Sequence, residues 1–442
     1  MNTKKSFLQY VSANVMGMIG LSCYILADTF FVSKGLGADG LAALNLSIAI
    51  YSFISAAGLM IGIGGATRYS IHRARNEQDK ANVFFTHSIK IGILFGIVFS
   101  LIGLLGSSTL SALLGANKGI LDKTNIYLKT ILIFSPCFIL NNIFIAFIRN
   151  DNSPKLSMIA MLIGSISNVI LDYIFIFPLN LGMFGAAFAT GLAPIISMSI
   201  LALHYIKKKN NFHFAKSKLK TADIVNICSL GVSSFVSEVA SGIILIVFNL
   251  LILGIAGNIG VAAYGIVANL ALVATAIFTG IAQGTQPLLS KNFGRGNYDN
   301  IKDLLLYAIY LSLGISLSLY VLIVIFNTSL VNIFNRDNID ILSKTAAYGL
   351  IIYFAGFFFA GVNIIISSVL SSINKAKSAL VISVLRSGFL IIPLAIILSI
   401  SFQMTGVWLS FVLSEMITLV AAIYLVKKNC FKYLYPSFAY DK

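Results

Sequence analysis

Charge is what this 442-residue sequence has least of: lysine, arginine, aspartate and glutamate together make up 10% of it. A water-soluble domain carries about a quarter of its residues as charges. So few cannot wet the surface of a protein this long, which excludes a cytosolic enzyme, a secreted module and a disordered chain. Cysteine is also scarce. The four present, Cys23, Cys137, Cys228 and Cys430, stand far apart without CxxC or Cys/His spacing, and they read as packing residues. The four histidines form no cluster, and neither His72, in a loop, nor His213, in a linker, has ligand spacing. The absence of a Walker A sequence excludes ATP hydrolysis by that route. No DDxxD or comparable cluster marks a membrane-embedded acyltransferase or prenyltransferase, and no repeated filter marks a channel. The chain therefore reads as a non-enzyme without a cofactor.

What is present is apolar. Hydrophobic residues make up 58% of the chain and mean hydropathy is +0.93. They lie in continuous rather than alternating runs, the pattern of membrane helices and not of a barrel. Twelve runs are long enough to cross about 30 Å as helices. They cover roughly 10–33, 41–66, 83–107, 124–148, 156–178, 182–206, 224–254, 259–286, 304–327, 345–370, 378–401 and 405–426, numbered here as spans 1 to 12. The first follows Lys4 and Lys5 but is too long for a signal-peptide core, so it is an uncleaved span.

The net charge of +16 is explained by where the charges sit. Of 31 Lys+Arg, three fall within spans (Lys90, Lys129, Arg386) and five on one side (Lys34, Lys118, Lys123, Arg336, Lys344), which leaves 23 on the other. The positive-inside rule then makes both termini cytoplasmic. The basic loops, Lys207-Lys208-Lys209 included, read as orienting the chain rather than as binding nucleic acid or another partner.

The two halves echo each other. Gly37-Ala38-Asp39-Gly40-Leu41-Ala42-Ala43 recurs about 220 positions later as Gly257-Asn258-Ile259-Gly260-Val261-Ala262-Ala263. Gly62-Ile63-Gly64-Gly65-Ala66-Thr67 is answered by Gly280-Ile281-Ala282-Gln283-Gly284-Thr285, Gly185 by Gly406, and Ile206-Lys207-Lys208 by Val426-Lys427-Lys428. Six spans return a chain to its starting side, so the repeats are parallel. The expected fold is an all-α polytopic membrane protein: twelve transmembrane helices in two six-helix bundles, related by a parallel pseudo-two-fold repeat around a central cleft. Its N-terminal lobe covers 1–210, a basic cytoplasmic linker 211–222 and a C-terminal lobe 223–442. A rocking transporter has this architecture.

Four acids fall inside spans: Asp28, Asp172, Glu238 and Glu415. An acid at mid-bilayer costs roughly 2.5 kcal/mol or more, so it normally faces a cavity and has a function. At 1.5 Å per residue, Asp28 and Asp172 both lie roughly 8–9 Å below the outer boundary and Thr190 about 12 Å. Asn168 is one turn from Asp172 on the same helical face. Two carboxylates in one low-dielectric layer do not both ionise cheaply, so the pair can hold a proton. With Asn168 and Thr190 they can equally form an oxygen cage for a hard cation such as Na+. The alternative is that each acid is paired separately. Glu238 and Glu415 lie nearer the midplane, where each either attracts a cationic substrate or pairs with Arg386. Tyr24, Tyr51, Asn141 and Asn142 either line a cleft or pack between helices. The pairs Gly58/Gly62, Gly92/Gly96 and Gly280/Gly284 read as close helix crossings.

Several segments now combine: Ala27-Asp28-Thr29-Phe30-Phe31-Val32, Gly64-Gly65-Ala66-Thr67, Asn168-Val169-Ile170-Leu171-Asp172-Tyr173-Ile174-Phe175, Gly185-Ala186-Ala187-Phe188-Ala189-Thr190 and Gln283-Gly284-Thr285-Gln286-Pro287. Over its whole length the chain resembles the multidrug and toxic compound extrusion (MATE) family, closest to its bacterial MepA-like group. The resemblance implies that Asp28, Asn168, Asp172 and Thr190 form a cation-coupling site, and that Glu238, in Ser234-Phe235-Val236-Ser237-Glu238, and Gln283 belong to the substrate cleft. It implies a monomeric antiporter of the bacterial plasma membrane that exports amphipathic or cationic drugs in exchange for H+ or Na+. The chain departs from the family pattern in two places, lacking a proline early in spans 1 and 7 and an acid in span 10. A flippase for lipid-linked oligosaccharides, of the same superfamily, is the alternative function.

Overall fold

The computed structural model describes residues 3–335 and 339–434, and among them every regular element is a helix. Arg336, the last residues of the C-terminal half and the side chain of Cys430 lie outside the described residues. Span 3 is the helix Gln78–Leu113, span 5 is Pro154–Ile176, span 6 is Gly182–Leu201 continued by Leu203–Ile206, and span 9 is Tyr298–Phe334. Each meets the length of about 20 residues that a crossing needs.

Three helical runs are far longer: Thr3–Ala74 with 72 residues, Thr221–Gly294 with 74 and Ile391–Leu434 with 44. A straight helix of the first length would extend roughly 108 Å. Each run instead folds back. The Tyr24 and Tyr51 hydroxyls meet at 3.1 Å, where a straight helix would hold them about 40 Å apart. The Phe248 and Tyr264 rings meet at 5.4 Å. The reversals are single residues at positive φ: Gly37 (φ 69°, ψ −163°), Gly257 (φ 59°, ψ −157°) and Gln403 (φ 47°). The first two lie where only glycine sits without a steric cost. Their near-identical dihedrals, 220 positions apart, make the duplication visible in the backbone. Spans 1–2, 7–8 and 11–12 are therefore hairpins, and among the described residues twelve helical passes result.

Spans 4 and 10 differ from the straight runs expected at 124–148 and 345–370. Span 4 is Leu121–Ile133 and Ser135–Asn150, bent by 48°, and span 10 is Asp340–Ala355 and Phe357–Ser372, bent by 43°. Pro136, which lacks an N–H and opens the second segment of span 4, explains the first bend. The matching break in span 10 falls at Gly356. Span 11 is broken too. Ala376–Val384 runs into a wide turn, Leu385–Phe389, with Ser387 and Gly388 (φ 137°) outside helical geometry. Span 5, its counterpart in the repeat, is continuous.

Packing contacts divide the chain into two compact units elsewhere than at 211–222. One is Ser12–Val239 with Ser290–Arg295; the other is the residues up to Val11, Ala240–Leu289 and those from Gly296 on. The ends of spans 1, 7 and 8 thus pack with the half to which they do not belong in sequence. In the first unit, spans 2 and 7 touch backbone to backbone: a Cβ on Gly64 would lie 1.9 Å from the Ile227 carbonyl oxygen, and one on Gly231 1.9 Å from that of Met60. Gly58, Gly62, Gly92 and Gly96 all meet span 4, at Asn142, Ile139, Ile143 or Pro136, as the close-crossing reading has it. In the second unit Tyr353 stacks on Phe411 at 4.1 Å beside the fully buried Trp408.

Candidate functional site

Spans 5 and 6 form a tight hairpin whose turn contains Asn180 and Gly182 at positive φ. Gly164 lies against Ser197, bringing the two helices close. That approach points Asn168 at Thr190, and its Nδ2 donates to the Thr190 Oγ1 at 3.4 Å, while Thr190 donates to the Ala186 carbonyl at 3.0 Å. Asp172, one turn along from Asn168, is fully buried and near enough to Asp28 of span 1 to feel its charge. Asp28 is itself buried, at 7% exposure. The structure thus brings all four residues of the expected layer together.

The acids are not separately neutralised. Among the described residues neither joins an ion pair, and neither oxygen of Asp172 accepts a hydrogen bond. The Oδ1 atoms of Asp28 and Asn168 are likewise unpartnered. Buried acceptors are rarely left so, because each one costs the free energy of its desolvation. Oxygen acceptors drawn from two carboxylates and an amide fit a proton shared by the acids, and fit a hard cation equally well.

Tyr127 was missed by the sequence reading. It is buried beside Thr190 and lies within electrostatic reach of both Asp28 and Asp172. Its depth in span 4 was a usable signal, lost because the chain has 18 tyrosines and packing is their ordinary role.

A polar track leads away from the acids. Tyr24 senses the charge of Asp28 and shares its hydroxyl hydrogen bond with Tyr51. Tyr51 in turn senses both Asp28 and Glu238, and Ser55 lies beside Glu238. Glu238, expected in the C-terminal lobe, therefore belongs to the same compact unit as the acid pair, because the first half of span 7 packs there. Asn141 is half-buried with an unpartnered Oδ1, whereas Asn142 is wedged against Gly58 and Gly62. Gln283 is half-buried in the other unit.

Glu415 also stands apart. In the second unit it accepts from Arg386 Nη2 at 2.9 Å and Nε at 3.2 Å, and from Asn363 Nδ2 at 2.7 Å. This is the pairing the sequence left open as its alternative. The carboxylate is engaged inside the unit, beside the break in span 11.

The family model MatE matches residues 14–174 and 233–397, and so covers every residue of the cluster except Thr190. The chain belongs to the MatE family. This makes it a transporter rather than an enzyme, and a multi-pass membrane protein. Its relatives include the multidrug export protein MepA of Staphylococcus saprophyticus, 25% identical over 96% of this chain and 93% of that protein. MepA of Staphylococcus aureus strain N315 is 26% identical with the same coverage. Among solved structures, a MATE protein in complex with MaL6 superposes with a TM-score of 0.91 at 21% identity, over 97% of this chain and 96% of that one. A MOP superfamily transporter from Pyrococcus furiosus, described as having a binding pocket of reverse polarity, gives 0.90 at 21% identity, over 98% and 97%. These structural matches speak for the fold.

Proposed function

We propose that this MatE chain is a secondary antiporter of the bacterial plasma membrane that exports amphipathic, often cationic compounds in exchange for H+ or Na+. The observation that carries this reading is the buried, unpartnered pair Asp28 and Asp172 with Asn168 and Thr190 beside it. The pair takes up the coupling cation, Asn168 and Thr190 complete its shell, and Tyr127 stands beside it within electrostatic reach of both acids.

The outbound compound is drawn to the track formed by Glu238, Tyr51 and Tyr24, with Asn141 in the same unit; Gln283 is a further candidate for drug binding in its own unit. Negative charge shared along this track favours a cation at either end. Filling the acid pair removes that charge and weakens the hold on the drug. An ion can drive transport only through such a difference in affinity between two states. Rocking of two lobes, with both termini in the cytoplasm, then carries drug and ion in opposite directions. On this reading the working unit is a monomer.

Purified protein in liposomes, with pH and Na+ gradients imposed separately, tests the proposal. Drug flux should follow one of the two gradients. Flux that ignores both would refute coupling.

A further inference from the structure

Spans 6 and 7 are joined by residues 207–220, a stretch without regular structure whose lysines the sequence explains by orientation. Free chain of that length, held at both ends, can loop about 23 Å away from the bilayer. Here it is pinned instead. Phe212 is buried among Phe85, His204, Tyr69 and Phe147, with ring centroids 4.4, 5.9, 6.1 and 6.2 Å away. Asn211 donates its backbone N–H and its Nδ2 to Asp151 at 2.7 and 3.0 Å. Asp151 is fully buried and also holds the Tyr69 hydroxyl at 2.9 Å, His204 at 2.9 Å and Arg73. Further on, the backbone N–H groups of His213 and Ala215 donate to Asn82 and Thr86 at 3.0 and 2.8 Å. Ser217 meets His87 at 2.6 Å, and its carbonyl accepts from Lys90 at 2.6 Å.

Pinning fixes the direction of each side chain. Ala215, Ser217 and Leu219 are half-buried, whereas the alternating Lys216, Lys218 and Lys220 are exposed, as are Lys207, Lys208 and Lys209. Among the described residues none of these six lysines joins an ion pair. Three of the neighbouring acids are engaged: Asp223 faces His87 at 3.2 Å, Glu77 bonds His72 and Lys80, and Asp151 is buried; the exposed Asp79 joins no ion pair with these lysines. Exposed Tyr205, Ile206 and Phe214 flank the row. Both ends are fixed at a bilayer boundary, since span 6 closes at Ile206 and the helix of span 7 opens at Thr221.

We propose that residues 207–220 form a fixed rail that binds the phosphate headgroups of anionic lipids in the surrounding bilayer. The lysines are held outward at headgroup level without internal counter-ions, and Tyr205 and Phe214 have the amphipathic or apolar character of interfacial anchors. A lysine near an anionic membrane surface strengthens association about fivefold.

The test is binding of short-chain phosphatidylglycerol and phosphatidylcholine to the full-length protein in detergent, followed by native mass spectrometry. K216Q/K218Q/K220Q should weaken the phosphatidylglycerol affinity by about tenfold or more and leave phosphatidylcholine unchanged. K5Q/K427Q/K428Q removes the same charge elsewhere and should change it little. An unaltered affinity in the first variant overturns the proposal. So does an equal loss in both, which would mean attraction by net charge only. A second measurement needs no substitution: photoreactive phosphatidylglycerol should label the wild-type protein preferentially within 207–220. Labelling that matches photoreactive phosphatidylcholine overturns the rail.

Discussion

Replacing Arg386 by methionine removes the guanidinium from a pair that is almost wholly buried, with side-chain exposures of 14% for Arg386 and 3% for Glu415. Glu415 would keep Asn363 as a donor, at 2.7 Å, but lose all three of its hydrogen bonds from the guanidinium. Breaking a buried pair from one side costs about 3–5 kcal/mol, because an uncompensated charge remains. Removing both charges is different. In R386M/E415Q the new amide oxygen still accepts from Asn363 and no ion is left in the low-dielectric interior. The double variant should therefore recover about 2–4 kcal/mol of the loss in either single one. The assay is reversible unfolding in mixed micelles followed by the fluorescence of Trp408, the only tryptophan, fully buried in the same unit. If the double variant loses as much as the two single ones summed, Arg386 and Glu415 are not a structural pair and the assignment fails.

Other perturbations have equally definite outcomes. Asp151→Asn weakens the acceptor for Tyr69, Arg73, His204 and Asn211 together; stability should fall by about 3 kcal/mol or more, and limited proteolysis should begin to cut within 207–220. Cleavage unchanged from wild type would mean that Asp151 does not hold that segment. Gly231→Ala places a Cβ 1.9 Å from the Met60 carbonyl oxygen, a backbone atom that has no rotamer to move into, so the yield of folded protein on size-exclusion chromatography should drop sharply. Normal yield would show that spans 2 and 7 do not cross so closely. Tyr127→Phe removes a buried hydroxyl within electrostatic reach of Asp28 and Asp172; a polar contact worth about 1 kcal/mol would shift the half-saturating coupling-ion concentration about fivefold in flux assays while leaving drug binding in the absence of a gradient unchanged.

The spans were legible because hydropathy integrates over twenty residues and tolerates local irregularity. The acid layer was legible because helical rise converts residue number into depth; Asn168 reaches Thr190, and Asp172 lies within electrostatic reach of Asp28. Hydropathy does not register bends. Phe134 and Gly356 are as apolar or as small as their neighbours, so the breaks in spans 4 and 10 left no trace, although Pro136 was a usable cue. Depth also says nothing about lateral neighbours. That is why the sequence does not show that Glu238 packs in the same compact unit as the acid pair, and why Tyr127, at a suitable depth on another helix, was passed over. The pinned stretch 207–220 was illegible for a third reason. Its anchors, Asp151, Asn82, Thr86 and His87, come from positions up to about 130 residues away, and only the folded chain brings them together.

The central claim is that Asp28 and Asp172 hold an ion that the drug displaces. Its most direct measurement is the number of H+ or Na+ ions released when drug is added to the purified, weakly buffered protein. Wild type should release ions in proportion to drug bound, and Asp28→Asn/Asp172→Asn should bind drug with no release. Release of the same number of ions by the double variant would contradict the account.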